Sequence, residues 1–210
     1  MPPEKAPVIG VYALAGAGKS IASQYLAEFT GWRVISADEL THQVLKQKDI
    51  KELLKSYFGS TIITPDNEID RFTLGNIVFN SASSRTLLER CVWPAIEKFL
   101  LNEIVKATHG AIIDAAVLVR ARWNNYCHRL IYVESKEKLR IHRLLTYRGK
   151  TEVQARLLFQ MQKDIAKSKV KADYIVKNNG TTLELKREIK KIAKELLLCF
   201  PARSTSKTEE

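Results

Sequence analysis

Apolar residues fall along the chain in two alternating rhythms, one of strands and one of helices. Val8 to Leu14 is an apolar run rich in β-branched residues and closed by small residues, and behind it Ile21, Tyr25, Leu26 and Phe29 recur at helical spacing. This predicts strand, loop, helix. A second short strand is expected at Trp32 to Ile35. It ends at Ser36, Ala37 and Asp38, after which Leu40, Val44, Leu45, Leu53, Leu54, Tyr57 and Phe58 read as helix. Gly59 to Asn67, with Pro65 and Asp66, reads as a turn, and Asp70 as the N-cap of a helix reaching Phe79. Ser81 to Val105 is a long helical pattern interrupted at Pro94.

Further on, Ala111 to Asp114, Leu130 to Val133 and Tyr174 to Val176 have the length of buried strands. Helices are expected from Ser135 to Tyr147, Thr151 to Ile165 and Leu183 to Leu198, and the tail from Arg203 to Glu210 reads as disordered. Five short strands alternating with helices predict an α/β fold, a five-stranded parallel sheet flanked by helices on both faces. The length of 210 residues suits a single domain with an inserted subdomain, and no internal repeat is visible.

Composition narrows the setting. No stretch approaches the length of uncharged residues that a membrane span needs, and the start of the chain, with Glu4, lacks the basic-then-apolar order of a signal peptide. Cys91, Cys127 and Cys199 are odd in number and far apart, forming no CxxC pair, so a reducing cytoplasm fits best. His42, His109, His128 and His142 lack metal-ligand spacing. The formal net charge of +11 predicts an anionic partner. Much of it sits between Lys136 and Lys171, where eleven basic residues face three acidic ones, either a solvated helix face or a binding patch. Tyr147 and Phe159 are the only aromatics in that run, which argues against a stacking platform for nucleic acid.

The chemistry begins after the first strand. Ala13-Leu14-Ala15-Gly16-Ala17-Gly18-Lys19-Ser20 follows a strand and opens a helix, the setting in which a phosphate loop works. Glycines let the backbone approach phosphate oxygens, and the helix start supplies unpaired amides, here from Ala15 to Ile21. Lys19 would reach the β and γ phosphates and Ser20 would ligate Mg2+. Ala13 stands where GxxxxGK[ST] has its first glycine. Asp38, just past the second strand, is either a carboxylate facing the nucleotide crevice or a helix N-cap. Asp114, ending the third strand, is either a metal-binding Walker B carboxylate or a turn residue.

The order of motifs resembles the dephospho-coenzyme A kinases over nearly the whole chain. It is carried by Gly10 with Gly16 to Ser20, Ser36-Ala37-Asp38, Ile69-Asp70-Arg71 with Leu74 and Val78-Phe79, Leu88-Glu89 and Trp93-Pro94. After these come Ile113-Asp114, Arg143, Arg148, Ala155-Arg156 with Gln160, Ala172 to Val176 and Asn178-Asn179-Gly180. Trp93-Pro94 stands where the family usually has His-Pro, and Ala116-Val117-Leu118 followed by Arg120 where it has Pro-Leu-Leu and then Glu.

The resemblance implies ATP- and Mg2+-dependent phosphorylation of the ribose 3′-hydroxyl of dephospho-coenzyme A, the last step of coenzyme A biosynthesis. It makes Asp38 the general base, Arg71 a substrate-site arginine, and Arg143 and Arg148 members of a lid. Asn178 matches the residue near adenine, although Asn-Asn-Gly is also a good turn. It also divides the chain into a core (about 7–37, 106–135 and 172–200), a helical acceptor-binding insertion (about 38–105) and a lid (about 136–171). A different small-molecule or nucleoside monophosphate kinase would share the loop, and a basic nucleic-acid-associated ATPase or pseudokinase would share the charge.

Overall fold

The computed structural model describes residues 6–201; Glu4 and the tail from Arg203 to Glu210 lie outside the described residues. Strands β1 (Val8–Ala13), β2 (Arg33–Ser36), β3 (Ala111–Asp114), β4 (Arg129–Glu134) and β5 (Tyr174–Lys177) form one sheet in the order β2-β3-β1-β4-β5. The pairs β1–β3, β1–β4 and β4–β5 are parallel. Strands β1 and β3, inside the sheet, are buried at every position, as a parallel sheet covered on both faces requires. All five strands lie where the apolar runs predict them.

In chain order the helices are α1 (Lys19–Thr30), α2 (Ala37–Val44), α3 (Lys48–Phe58), α4 (Arg71–Asn80) and α5 (Ala82–Lys106). They continue as α6 (Glu137–Arg148), α7 (Glu152–Met161), α8 (Lys163–Lys167) and α9 (Thr182–Cys199). Leu26 of α1 and Leu185, Ile189 and Leu196 of α9 pack with Ile9, Val11, Ile112, Ile131 and Val133 to form the main core. Strand alternation sends Tyr12 and Tyr132 to the opposite face. There their rings meet edge to face at 5.1 Å, and the Tyr12 hydroxyl donates to the Ser168 carbonyl at 2.8 Å. Burial pushes the Tyr12 phenol up to about 12, so it remains a donor at neutral pH.

Three helical expectations differ from the structure. The pattern from Leu40 to Phe58 breaks into α2 and α3 at a turn in which Lys46 and Gln47 donate to the carbonyls of Gln43 and Val44. Pro94 does not break α5, because buried Val92, Ile96 and Leu100 form one stripe on either side of it. The helix expected from Thr151 to Ile165 is interrupted at Gln162, whose backbone (φ −108°, ψ 17°) ends α7 and opens α8.

The chain divides into two compact units. One holds the sheet, taking the described residues up to Ile35 and from Ile104 onward; the other is Ser36–Glu103. In the second unit an antiparallel bridge, Ile63 to Ile69, closes a short turn in which Asn67 takes a φ of 58°. The Asp70 carboxylate accepts from the Phe72 and Thr73 amides at 3.0 and 3.1 Å, capping α4 as expected.

Candidate active site

The strand order reverses at β1: β3 lies on one side and β4 on the other, while β2 is carried beyond β3. At such a switch point a crevice opens past the carboxyl ends of neighbouring strands. β1 ends there at Ala13 and β3 at Asp114, so the phosphate loop and the Walker B position meet for topological reasons.

In the loop, the Ala17 amide donates to the Leu14 carbonyl at 3.1 Å and the Ala22 amide to the Gly18 carbonyl at 3.1 Å. Gly16 and Gly18 have φ of +77° and +95°, in the left-handed region. A Cβ on Gly16 would also lie 2.6 Å from the Arg140 carbonyl oxygen, and one on Gly18 would strike the Asn178 side-chain amide. Ala13, by contrast, is the extended last residue of β1 and has no positive φ, which is why alanine is tolerated where the motif has glycine. α1 begins without a side-chain cap and without an acidic residue in its first turn. Its leading N–H groups are therefore suited to an anion.

The Lys19 ammonium bonds to Oδ1 of Asp114, whose side chain is only 6% exposed. Ser20, next in sequence, and Asp114 are hard oxygen donors of the kind Mg2+ takes one or two at a time, with water and phosphate completing its shell. Among the described residues no three His, Cys, Asp or Glu side chains gather as a metal cage, and a phosphate-borne Mg2+ needs none.

A clasp holds the loop from the side of α6. Arg143 donates to the Gly16 carbonyl (3.4 Å), to Ser135 Oγ (3.2 Å) and to the Asn178 carbonyl (3.1 Å). Asn178, 5% exposed, donates through Nδ2 to the Ala17 carbonyl at 2.8 Å. Both residues thus touch the phosphate loop. Asn178 is fixed by its backbone as well, since its amide donates to the Glu134 carbonyl at 2.7 Å. Arg148 is exposed at the last position of α6.

Two residues outside the sequence-based site also belong to this surround. Gln162 Oε1 accepts from the Ala15 amide at 2.8 Å, and the Arg140 backbone packs on Gly16. A glutamine in a helical pattern carries no signal that it would turn towards a loop about 150 residues earlier in the chain. Arg120 has a partner in Asp164 of α8 at 3.5 Å, which accounts for a positive charge at that position. Lys169 likewise pairs with Glu134 at 2.6 Å.

In the other unit, Ser36 rather than Asp38 caps α2: its Oγ accepts from the Glu39 amide at 3.3 Å. Asp38 lies in the first turn with its side chain exposed, two residues past the carboxyl end of β2. Arg71, the first residue of α4, lines a cleft of about 240 Å3 with His42, Leu45, Lys46, Glu68 and Ile69.

Comparison with known proteins agrees with this geometry. Residues 7–184 match the family model described as dephospho-CoA kinase. The chain is 30% identical over 192 residues to a dephospho-CoA kinase of Geobacillus kaustophilus, covering 89% of this chain and 95% of that protein. It is 29% identical over 195 residues to one of Arabidopsis thaliana, with 90% and 83% covered. The fold is shared with the crystal structure of TT1252 from Thermus thermophilus (TM-score 0.78, 22% identity, covering 92% of this chain and 99% of that one). It is shared too with a dephospho-CoA kinase from Campylobacter jejuni (TM-score 0.63, 22% identity, covering 90% and 96%). With its phosphate loop, its switch-point carboxylate and a match spanning most of its length, this chain belongs to the dephospho-CoA kinase family.

Proposed function

We propose that this protein transfers the terminal phosphoryl group of ATP to the ribose 3′-hydroxyl of dephospho-coenzyme A, completing coenzyme A. The observation that carries the reading is the Lys19–Asp114 pair at the start of α1, on the switch point of the sheet. Amides of the loop from Ala15 to Ile21 hold the nucleotide phosphates, and Lys19 neutralises charge on the oxygens of the group being transferred. When bound through Ser20 and Asp114, Mg2+ supplies further neutralisation of the phosphates.

Arg143 and Asn178 act by position: they tie the Gly16 and Ala17 carbonyls back and so leave the loop amides directed at the phosphates. Asp38 orients the acceptor hydroxyl and takes its proton as the new P–O bond forms. Arg71, in its cleft with His42 and Lys46, binds an anionic group of the acceptor, and Arg148 belongs to the segment that closes over the nucleotide. Free thiols at Cys91, Cys127 and Cys199 suit a reducing cytoplasm, and no helix among the described residues is long and apolar enough to cross a membrane.

A coupled assay of ADP release tests the reading, with dephospho-coenzyme A, adenylate, shikimate and a ribonucleoside as alternative acceptors. Turnover that requires dephospho-coenzyme A and Mg2+ is expected. Equal or faster turnover with another acceptor would remove the assignment of substrate while leaving the kinase chemistry.

A further inference from the structure

Three arginines stand on α6, and only one of them has unused hydrogen-bonding capacity in a buried place. Arg143 spends its guanidinium on Gly16, Ser135 and Asn178. Arg148 is exposed at the end of the helix. Arg140 is 6% exposed, yet its Nε and Nη1 are buried without a hydrogen-bond partner among the described residues. Its guanidinium carbon lies 3.9 Å above the centroid of the Phe159 ring, so α7 holds the group by stacking. Its own backbone is pressed against the phosphate loop, where a Cβ on Gly16 would come within 3.0 Å of the Arg140 Cα.

A desolvated cation with unmet N–H groups is costly to keep. Burial lowers the Arg140 pKa from its usual value, and the charged neighbour that opposes this is Glu137 on the same helix, with Tyr132 of β4 beside it. Glu137 is itself solvent-exposed and forms no hydrogen bond to Nε or Nη1. Arginine also cannot escape the cost by losing its proton at neutral pH. What would offset it is an anion arriving at the loop that Arg140 already touches through its backbone.

We propose that Arg140, whose backbone borders Gly16 while its guanidinium stacks on Phe159, is a further phosphate-binding residue, and that the phosphate chain of a nucleoside di- or triphosphate becomes the partner of its unused N–H groups. The inference rests on the nucleotide reading of the loop. It assigns to Arg140 a charge-assisted contact that Arg143 leaves to it while clasping the loop. Phe159 is then a positioning residue that stacks the guanidinium.

The test compares Mg2+–ADP with adenosine, which lacks phosphates, by titration calorimetry and thermal unfolding of the full chain. Arg140→Met should weaken ADP binding about tenfold or more, the scale of losing a charged hydrogen bond, and leave adenosine binding unchanged. Its unfolding temperature without ligand should not fall, because a buried unpaired charge has been removed. A folded Arg140→Met protein that binds ADP within twofold of wild type would overturn the proposal. The wild-type protein supplies a second readout that needs no folded methionine variant: the Arg140 Nε–H resonance, assigned with Arg140→Lys, should move on adding ADP and stay on adding adenosine. A resonance indifferent to ADP overturns the proposal as well. If wild type bound ADP no better than adenosine, the nucleotide reading of the loop would fall together with it; loss confined to the Arg140 comparison leaves that reading standing.

Discussion

Lys19 and Asp38 have different tasks in the proposed transfer, and their variants should separate accordingly. Lys19 stabilises charge that grows on the transferred group, so Lys19→Ala should lower kcat by roughly 10²-fold or more in steady-state kinetics. Near-normal turnover would remove Lys19 from the chemistry. Asp38→Asn keeps the shape and removes the basicity; it should cost about 10²-fold in kcat with ATP affinity little changed. Because Ser36, not Asp38, accepts the capping bond of α2, this loss should come without a large fall in melting temperature. The thiols show the same dependence on surroundings. Burial pushes the Cys127 thiol up to about 12 and its Sγ lies 3.6 Å from the Trp123 carbonyl, while Cys199 is exposed. Iodoacetamide at pH 8 should therefore label exposed Cys199 faster than half-buried Cys127 in the native protein, as peptide mass mapping would show. Labelling of Cys127 at the pace of Cys199 in the native protein would contradict the raised pKa of its half-buried thiol.

Among elements, α2 and α1 contrast in how they begin. α2 starts with a side-chain cap, and Ser36→Ala should destabilise the protein by about 1 kcal/mol in chemical denaturation while leaving Asp38, the proposed base, in place. A kcat loss as large as that of Asp38→Asn would mean that the cap positions the base. α1 starts on Gly18 with no side-chain cap, which sacrifices some helix stability and leaves its amides for phosphate. Its stability comes instead from packing: Leu26 is fully buried in the main core, so truncating it to alanine would cost about 2–5 kcal/mol. Pro94 shows the same priority of packing over propensity, since the apolar stripe of Val92, Ile96 and Leu100 carries α5 through it.

On the scale of the whole molecule, the basic segment from Lys136 to Lys171 is partly spent on internal structure. Tyr12–Ser168, Ala15–Gln162, Lys169–Glu134 and Arg120–Asp164 hold its second half against the sheet unit. Much of its charge stays on the surface: Lys163, Lys167 and Lys171 are exposed, as is Arg148 at the end of α6, where Gly149 takes a φ of 58°. Binding a polyanionic nucleotide should relieve repulsion among these groups and draw the segment in. Hydrogen exchange from Arg143 to Gln160 is therefore expected to slow on adding ATP with dephospho-coenzyme A. Exchange that does not change with both ligands present would mean that this segment is a fixed cover and not a lid.

What the sequence determined by itself was whatever depends on local pattern: five apolar strands, the glycine-rich turn into α1, and the collinear motifs that point to one family. Strand length and glycine placement are set by residues close together in the chain, and so they can be read there. The split of Leu40 to Phe58 and the break at Gln162 escaped because they come from a turn and a tertiary hydrogen bond that leave no periodic signature. Only the tertiary structure removed the cap reading of Asp38, since a cap is defined by an amide three positions on and Ser36 reaches it. Strand order, not spacing, brought Asp114 to Lys19 across 95 residues. Arg140 was one of eleven basic residues in its segment until packing buried it against Phe159 and left its N–H groups without a partner, because burial is a property of the neighbours and not of the residue.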